Sequence, residues 1–232
     1  MALMERGQIV DTFRMHGYEP GTVEAVFRDY PAIGKAILVC TRDGMEEIEK
    51  DVSGRVKRYI RFDHTVPVPI ENMYSTPLTL GYDRLAGAVG AHPIYPNHPV
   101  LIADFGTAIT YDIVTAAGEF LGGNISPGAQ SRFRALNEYT STLPLRGLAD
   151  NQGFLGKSTD SAIENGVAWG IVFETEGYIR TLKREYDEIK IIFTGGDANY
   201  FAKLVKNPIF ATSDLVFYGL NAILEYNSGS IV

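Results

Sequence analysis

The chain has 232 residues, of which 45% are hydrophobic and 21% are charged, which is ordinary for a globular protein. Its formal net charge of −7 leaves no basic stripe for nucleic-acid phosphates, so no nucleic-acid partner is expected. No apolar run approaches the length of a membrane span and no secretory signal pattern opens the chain, so we expect no membrane partner and a cytoplasmic location.

The first part of the chain alternates between strand and helix patterns. Residues 2–14 predict a hairpin that turns at Arg6-Gly7. The apolar run 36–41 predicts a buried strand, and we expect its Cys40, the single cysteine of the chain, to be buried there rather than reactive. The other elements predicted before residue 98 are helices at 21–30, 45–51 and 79–91, a strand at 58–62 and a proline-containing loop at 63–78.

Beyond residue 98 the strands come first and the helices later. The predicted strands there are 99–103, 108–114, 119–125 and 189–194, and a Pro/Gly-rich loop is predicted at 143–157. The predicted helices are 127–137, 158–186, 197 to about 206, and one that begins at 214. Since each half begins with strands and continues with alternating helices, we predict an α/β protein with two similar lobes, 1–98 and 99–232, that meet at a cleft.

The most informative single feature is the turn that follows the strand at 99–103. It carries an acid, a glycine and a threonine, which are Asp104, Gly106 and Thr107. The glycine allows the backbone to approach a phosphate, and the hydroxyl and N–H groups of Thr107 can face the phosphate oxygens. Asp104 offers a hard oxygen ligand for a cation that shields those charges. The alternative is a plain hairpin with a glycine turn, which is common.

Other glycine-bearing turns lie next to predicted strands or helices, and turn or cap chemistry explains each of them alone. They are Leu80-Gly81-Tyr82-Asp83-Arg84, the run from Gly122-Gly123 to Pro127-Gly128, and Thr194-Gly195-Gly196-Asp197. Taken in this order, with 74–84, the motif Gly156-Lys157-Ser158-Thr159 and the near-terminal run 214–220, they resemble the type III pantothenate kinases of the actin-like ATPase superfamily. The resemblance covers most of the chain, from about residue 2 to 226.

The resemblance implies a fold of two ribonuclease H-like lobes and a defined reaction. The γ-phosphoryl group of ATP, which is bound with Mg²⁺, passes to the primary hydroxyl of pantothenate to give 4'-phosphopantothenate, the first step toward coenzyme A. The resemblance also implies a monovalent cation, potassium or ammonium. It further implies a homodimer, whose interface takes in the segment from Gly122 through the helix after Gly128 and the long helix that carries Trp169.

Phosphoryl transfer depends on positioning and charge shielding more than on covalent work. Asp83 is the candidate general base for the substrate hydroxyl, although without the resemblance we would interpret it as a helix N-terminal acid. Arg84 is expected to bind the pantothenate carboxylate, with a surface ion pair as the alternative. By resemblance, the pantothenate pocket also includes Tyr74, Gly81 and Thr159, the cation site includes Asp104, the phosphate loop includes Gly106 and Thr107, and the adenosine turn includes Gly195 and Gly196.

The family also begins with a strand and a phosphate loop of the pattern Asp-x-Gly-Asn-Thr-x-x-Lys, which the opening residues 1–7 do not contain. Either the recorded start lies downstream of the true one, which we favour, or the chain is a short form with impaired ATP use. For the chain as it stands, the resemblance predicts negligible kinase activity with pantothenate binding retained. The alternative function is a non-catalytic pantothenate- or nucleotide-binding accessory or regulatory protein on the same fold.

Overall fold

The computed structural model describes residues 1–13, 20–39, 46–150 and 153–229, and Cys40 lies outside these ranges. The chain is α/β, as predicted, and divides into two compact units. The predicted lobe boundary near residue 98 stays a prediction, and the observed grouping differs from it in placing the C-terminal helix with the first unit. The units are Met1–Ile94 with Gly118–Phe120 and Leu215–Val232, and Tyr95–Ala117 with Leu121–Asp214.

The first unit holds two two-stranded sheets. One is the predicted antiparallel hairpin and the other is a parallel pair in which Lys35 lies opposite Arg58 and Val39 opposite Phe62. The strands of these sheets are β1 (Ala2–Glu5), β2 (Gln8–Thr12), β3 (Lys35–Val39) and β4 (Arg58–Phe62).

A further short strand, β5, lies in the proline-containing loop and was not predicted. It consists of Glu71–Asn72 and pairs in parallel with Glu119 and Phe120, which belong to the same unit and begin β8 (Glu119–Pro127). The helices of this unit are α1 (Pro20–Asp29), α2 (Glu46–Ser53), α3 (Tyr82–Ala91) and α7 (Leu215–Asn227).

In the first unit α3 and α7 pack with their backbones in close approach. A Cβ atom added at Gly90 of α3 would lie 2.9 Å from the backbone nitrogen of Gly219 and closer still to the carbonyl oxygen of Leu215. Such distances are too short for a real Cβ, so a side chain at position 90 would push the helices apart. Because the predicted residues Asp83 and Arg84 lie in the first turn of α3, this packing fixes the helix that carries them.

The second unit is built on a sheet with the strand order β10-β9-β6-β7-β8. The central strand β6 pairs in parallel with β9 and antiparallel with β7. Asp104 near the end of β6 lies opposite Thr194 at the end of β9, so the carboxyl ends of two parallel strands meet at one edge. Besides β8, the strands are β6 (Val100–Phe105), β7 (Ala108–Val114), β9 (Lys190–Thr194) and β10 (Phe210–Ala211).

The core of the second unit lies between this sheet and its helices. Tyr111 of β7 is fully buried, its hydroxyl lies 2.9 Å from the hydroxyl of Thr175, and its ring stacks on Tyr178 at 4.1 Å. Burial raises the pKa of the Tyr111 phenol. None of the helices in the described ranges combines the length and apolar character needed to cross a membrane. The helices of this unit are α4 (Ala129–Glu138), α5 (Thr159–Glu185) and α6 (Ala198–Ala202).

Two predicted helices have different bounds in the structure. The helix predicted at 79–91 begins at Tyr82, because Pro77–Thr79 forms a separate 3₁₀ turn and the extended Gly81 precedes the first helical residue. The helix predicted to run from 197 to about 206 ends at Ala202, and a turn follows in which the N–H groups of Leu204 and Val205 share the Phe201 carbonyl at 3.0 Å.

We predict that Gly90→Ala destabilises the protein, because the added methyl group meets the α7 backbone, and such overpacking typically costs about 1–3 kcal/mol. The matched control is Gly87→Ala in the same helix, where an added Cβ meets no atom within 4 Å. Chemical denaturation measures both free energies of unfolding. Equal stability of the two variants would contradict the close α3–α7 packing.

Candidate functional site

The start of α3 places an acid beside a basic side chain. Gly81 precedes the helix with an extended backbone (φ −62°, ψ 127°), and Asp83 Oδ1 accepts a hydrogen bond of 2.9 Å from the backbone N–H of Arg84. A Cβ at position 81 would lie 2.6 Å from Asp83 Oδ1. Because Gly81 has no side chain, the Asp83 carboxylate oxygen can occupy this space.

The Arg84 side chain lies over two aromatic rings. Its guanidinium carbon is 5.4 Å from the ring centre of Tyr74 and 6.0 Å from that of Phe120, and only 9% of the residue is exposed. A guanidinium over aromatic faces gains cation–π attraction, and more of it where water is excluded. Arg84 is thus buried and oriented by its surroundings, whereas the alternative that we considered for it assumed a position at the surface.

Backbone hydrogen bonds bring Tyr74 to Arg84. The N–H of Met73 bonds to the carbonyl of Phe120 at 3.0 Å, and the N–H of Tyr74 bonds to the Asn72 side chain at 3.0 Å. The first of these bonds continues the pairing of β5 with β8, and the second is a local bond that holds the backbone after β5. Four of the residues predicted for the pantothenate pocket and its chemistry, Tyr74, Gly81, Asp83 and Arg84, therefore lie in one region of the first unit. Phe120 joins them without having been predicted.

The predicted phosphate turn follows β6 in the second unit and is contacted from the β9–α6 turn. The carbonyl of Phe105 accepts a hydrogen bond of 3.1 Å from the N–H of Asp197. Gly195 has a φ of 90°, and a Cβ there would lie 2.6 Å from the Phe105 carbonyl oxygen and against Asp104 Oδ1. Position 195 therefore requires glycine for both its backbone conformation and this close approach.

The other side of the same turn lies against the start of α4. The carbonyl of Thr107 accepts two hydrogen bonds, from the N–H of Gly128 at 3.0 Å and from the Ser131 hydroxyl at 2.7 Å. A Cβ at position 128 would lie 2.8 Å from this carbonyl oxygen and closer to the carbonyl oxygen of Gly106. Two glycines on different elements thus hold the 104–108 backbone between them.

These contacts set the direction of the N–H groups in the turn. The carbonyls of Gly106 and Thr107 face Gly128, and in a trans peptide the N–H points away from the carbonyl. The N–H groups of Thr107 and Ala108 therefore both point away from Gly128 at the start of α4. Successive N–H groups presented in this way make a concavity that binds anions.

Asp104 lies at the same edge of the sheet. In the parts of the chain that the structure describes, no group of three or more His, Cys, Asp and Glu side chains is arranged to hold a metal ion. A cation at Asp104 would accordingly take its other ligands from phosphate, backbone carbonyls or water. Burial raises the pKa of the nearby Asp197 carboxyl above its ordinary value.

The remaining two predicted residues have different surroundings. Gly196 follows Gly195, and a Cβ at position 196 would enter open space. Thr159 is the first residue of α5, after a capping box formed by Ser158 and Ser161. It lines a cavity of about 820 Å³ in the second unit, which we call the α4–α5 groove and whose lining also includes Arg132, Leu136, Tyr139, Leu143 and Ile163.

The two adjacent glycines provide a test that separates structure from ligand contact. Gly195→Ala is expected to lower the melting temperature by several degrees, because it strains the backbone and meets the Phe105 carbonyl. Gly196→Ala is expected to leave the melting temperature unchanged and to weaken ATP binding, because its methyl group enters the space predicted for adenosine. Thermal unfolding and calorimetric titration with ATP measure the two effects. Unchanged ATP affinity in the folded Gly196→Ala variant would contradict the adenosine assignment.

Comparison with known proteins identifies close relatives. A family model described as type III pantothenate kinase matches residues 2–181. The type III pantothenate kinase of Phocaeicola vulgatus is 39% identical over 227 residues, which cover 98% of this chain and 93% of the relative. The type III pantothenate kinase of Porphyromonas gingivalis is 45% identical over 185 residues, which cover 78% of this chain and 75% of the relative.

A solved structure supports the fold. The crystal structure of a conserved protein assigned to the Baf family of transcriptional activators, from Campylobacter jejuni, superimposes with a TM-score of 0.59 and 22% identity, covering 85% of each chain. At this identity the likeness concerns the fold alone. It agrees with the α/β class predicted from the sequence.

Proposed function

Because the chain belongs to the type III pantothenate kinase family, we propose that it transfers the γ-phosphoryl group of ATP to the primary hydroxyl of pantothenate. The products are 4'-phosphopantothenate and ADP, and the reaction opens the route to coenzyme A. The observation that supports this proposal is that Tyr74 lies beside Asp83 and Arg84 of the first turn of α3, three residues for which the resemblance predicts a role in pantothenate binding and catalysis.

Asp83 acts as the general base in this proposal. Its carboxylate accepts the proton of the pantothenate hydroxyl as that oxygen bonds to the γ-phosphorus, and the bond from phosphorus to the β,γ-bridging oxygen breaks to release ADP. The close approach of Gly81 and the hydrogen bond from the Arg84 N–H give the carboxylate a defined position. A base in a defined position is what an in-line transfer between two bound substrates requires.

Arg84 binds the carboxylate end of pantothenate. Its guanidinium already lies over Tyr74 and Phe120, so little side-chain entropy remains to be lost when a carboxylate binds. Because only 9% of the residue is exposed, the attraction between its guanidinium and a carboxylate is stronger than the same attraction would be in water. The fork of guanidinium N–H groups also matches a carboxylate in a two-bond pair.

The 104–108 turn binds the phosphates of ATP. The N–H groups of Thr107 and Ala108 face outward together and supply donors for phosphate oxygens. Mg²⁺ enters with ATP and neutralises part of the phosphate charge. Gly195 and Gly196 form the turn against which adenosine packs, next to the same edge of the sheet.

We predict that Asp83→Asn lowers kcat by about 10²–10⁴-fold, because the amide cannot accept the hydroxyl proton while its shape is nearly the same. Pantothenate affinity, measured by calorimetry, should stay close to that of the unmodified protein. Glu46→Gln is the matched control, since Glu46 is also an acid in the first turn of a helix. Here and below, turnover is measured by coupled ADP release on a chain extended upstream by the family's first strand and phosphate loop, which residues 1–7 do not contain. Near-normal turnover of Asp83→Asn would refute its role as the base.

We propose that the reaction requires a monovalent cation, potassium or ammonium, held in part by Asp104. The turn at 104–108 carries no lysine or arginine to balance the phosphate charge, so a cation beside Asp104 supplies it. Turnover should fall sharply when sodium replaces potassium at constant ionic strength. The turnover of Asp104→Asn should be the same in the two salts. Equal rates in sodium and potassium for the unmodified protein would contradict this requirement.

We propose that the protein is a homodimer that associates through α4 and α5. The α4–α5 groove has a mainly apolar lining, and Tyr139 at its rim is 86% exposed. Phe154 forms an aromatic cluster with Trp169 and Phe173 of α5, with ring centres 5.6 to 5.9 Å apart, and both phenylalanines are exposed. Exposed apolar area of this kind is typical of a protein interface, and a two-fold dimer is the commonest assembly.

Light scattering at micromolar concentration should report a dimer, and Phe173→Glu should shift the mass toward a monomer because a charge enters the apolar contact. Tyr226→Glu on α7 is the matched control, since it changes an exposed aromatic residue of the other unit. A monomeric mass for the unmodified protein would contradict the proposed dimer.

The alternative is a non-catalytic pantothenate- or nucleotide-binding protein on the same fold. Calorimetry and ADP release on one preparation separate the two functions. Pantothenate binding without ADP release in the presence of ATP, Mg²⁺ and potassium, both for the chain as it stands and for a chain extended upstream by the family's first strand and phosphate loop, would favour the alternative. ADP release that depends on pantothenate would establish the kinase.

A further inference from the structure

We propose that Ser131 is a positioning residue for the phosphate turn, acting through the carbonyl of Thr107. This inference rests on the proposed function of the 104–108 turn and goes beyond it. Ser131 lies in the first helical turn of α4, just after the Pro127-Gly128 motif but outside the residues predicted for the site, and its hydroxyl donates a hydrogen bond of 2.7 Å to the Thr107 carbonyl oxygen.

The start of α4 is bound to the turn in place of an ordinary helix cap. The residue before the helix is Gly128, and no side chain accepts a hydrogen bond from the first N–H groups in the manner of a cap. Instead, the backbone carbonyl of Thr107 is the acceptor at this helix end, and the N–H of Gly128 donates to it at 3.0 Å. The Ser131 hydroxyl is then the second donor to the same oxygen.

Two donors on one carbonyl fix the orientation of the peptide between Thr107 and Ala108. The N–H of Ala108 belongs to this peptide and points opposite to the carbonyl, into the space assigned to phosphate. If the Ser131 hydroxyl is removed, one donor remains and the peptide gains freedom to tilt. The phosphate is then positioned less precisely, and phosphoryl transfer is slowed by small displacements of the reacting group.

The helix that carries Ser131 is itself anchored at this point. Arg132 donates from Nε to the carbonyl of Pro127 at 2.8 Å and from its terminal nitrogen to the hydroxyl of Ser126 at 3.0 Å, and it pairs with Glu174 of α5. These bonds tie the end of β8, the start of α4 and the middle of α5 together. Ser131 is therefore held on a fixed support, which a positioning residue requires.

The test compares Ser131→Ala with Ser131→Thr, which keeps a hydroxyl. Ser228→Ala is the matched control, because the Ser228 hydroxyl also bonds to a backbone carbonyl, that of Leu224, in the first unit. ATP affinity is measured by calorimetry on all four proteins, and kcat and both KM values are measured by ADP release. Thermal unfolding checks that each variant is folded.

We expect Ser131→Ala to weaken ATP binding or raise the KM for ATP by about 3- to 10-fold, the loss of roughly one hydrogen bond. The KM for pantothenate should change less than about twofold, and Ser131→Thr should restore most of the ATP affinity. A change in pantothenate KM equal to that in ATP KM, or no restoration by threonine, would indicate a merely structural residue and overturn the proposal.

The outcomes also separate this inference from the proposed function. A protein that binds ATP but does not phosphorylate pantothenate would refute the kinase proposal, and the ATP affinities alone would then decide the role of Ser131. Equal ATP affinity in Ser131→Ala and the unmodified protein would overturn the role of Ser131 whatever the activity. Failure of the unmodified protein to bind ATP would overturn it as well, because the turn would then not be a phosphate site.

Discussion

The close packing of backbone around residues 104–108 is the constraint on which the account of the second unit depends. Gly195 contacts this turn from the β9–α6 side and Gly128 from the α4 side, each at a distance that leaves no room for a Cβ atom. The carbonyls of Phe105 and Thr107 thereby accept hydrogen bonds from Asp197, Gly128 and Ser131. What the turn presents outward is N–H groups, and these are suited to anions.

A second group of residues depends on the start of one helix. The α3–α7 packing fixes α3, and the first turn of α3 then carries Asp83 and Arg84 in fixed positions. The short β5–β8 pairing brings Tyr74 and Phe120 to the Arg84 side chain. The two groups have different proposed roles. The residues at the start of α3 supply the general base and the partner of the pantothenate carboxylate, and the 104–108 turn supplies N–H groups that donate hydrogen bonds to phosphate.

The sequence predicts the elements well where the pattern is local. The hairpin at the start, the strands of the central sheet and the long helix α5 follow from alternation, apolar runs and helical spacing, and the structure has them within a few residues. β5 was missed because two residues in a proline-containing loop carry no strand pattern, and its pairing with β8 is a tertiary contact. For the same reason no pattern indicated Phe120 beside Arg84 or Ser131 beside Thr107, although the glycine motifs predicted the regions that they support.

The most direct measurement is a crystal structure of the protein with pantothenate and a non-hydrolysable ATP analogue. The account predicts phosphate oxygens within hydrogen-bonding distance of the N–H groups of Thr107 and Ala108, and the pantothenate hydroxyl within reach of the Asp83 carboxylate. A structure in which the phosphates of the bound analogue make no contact with the 104–108 turn would contradict it.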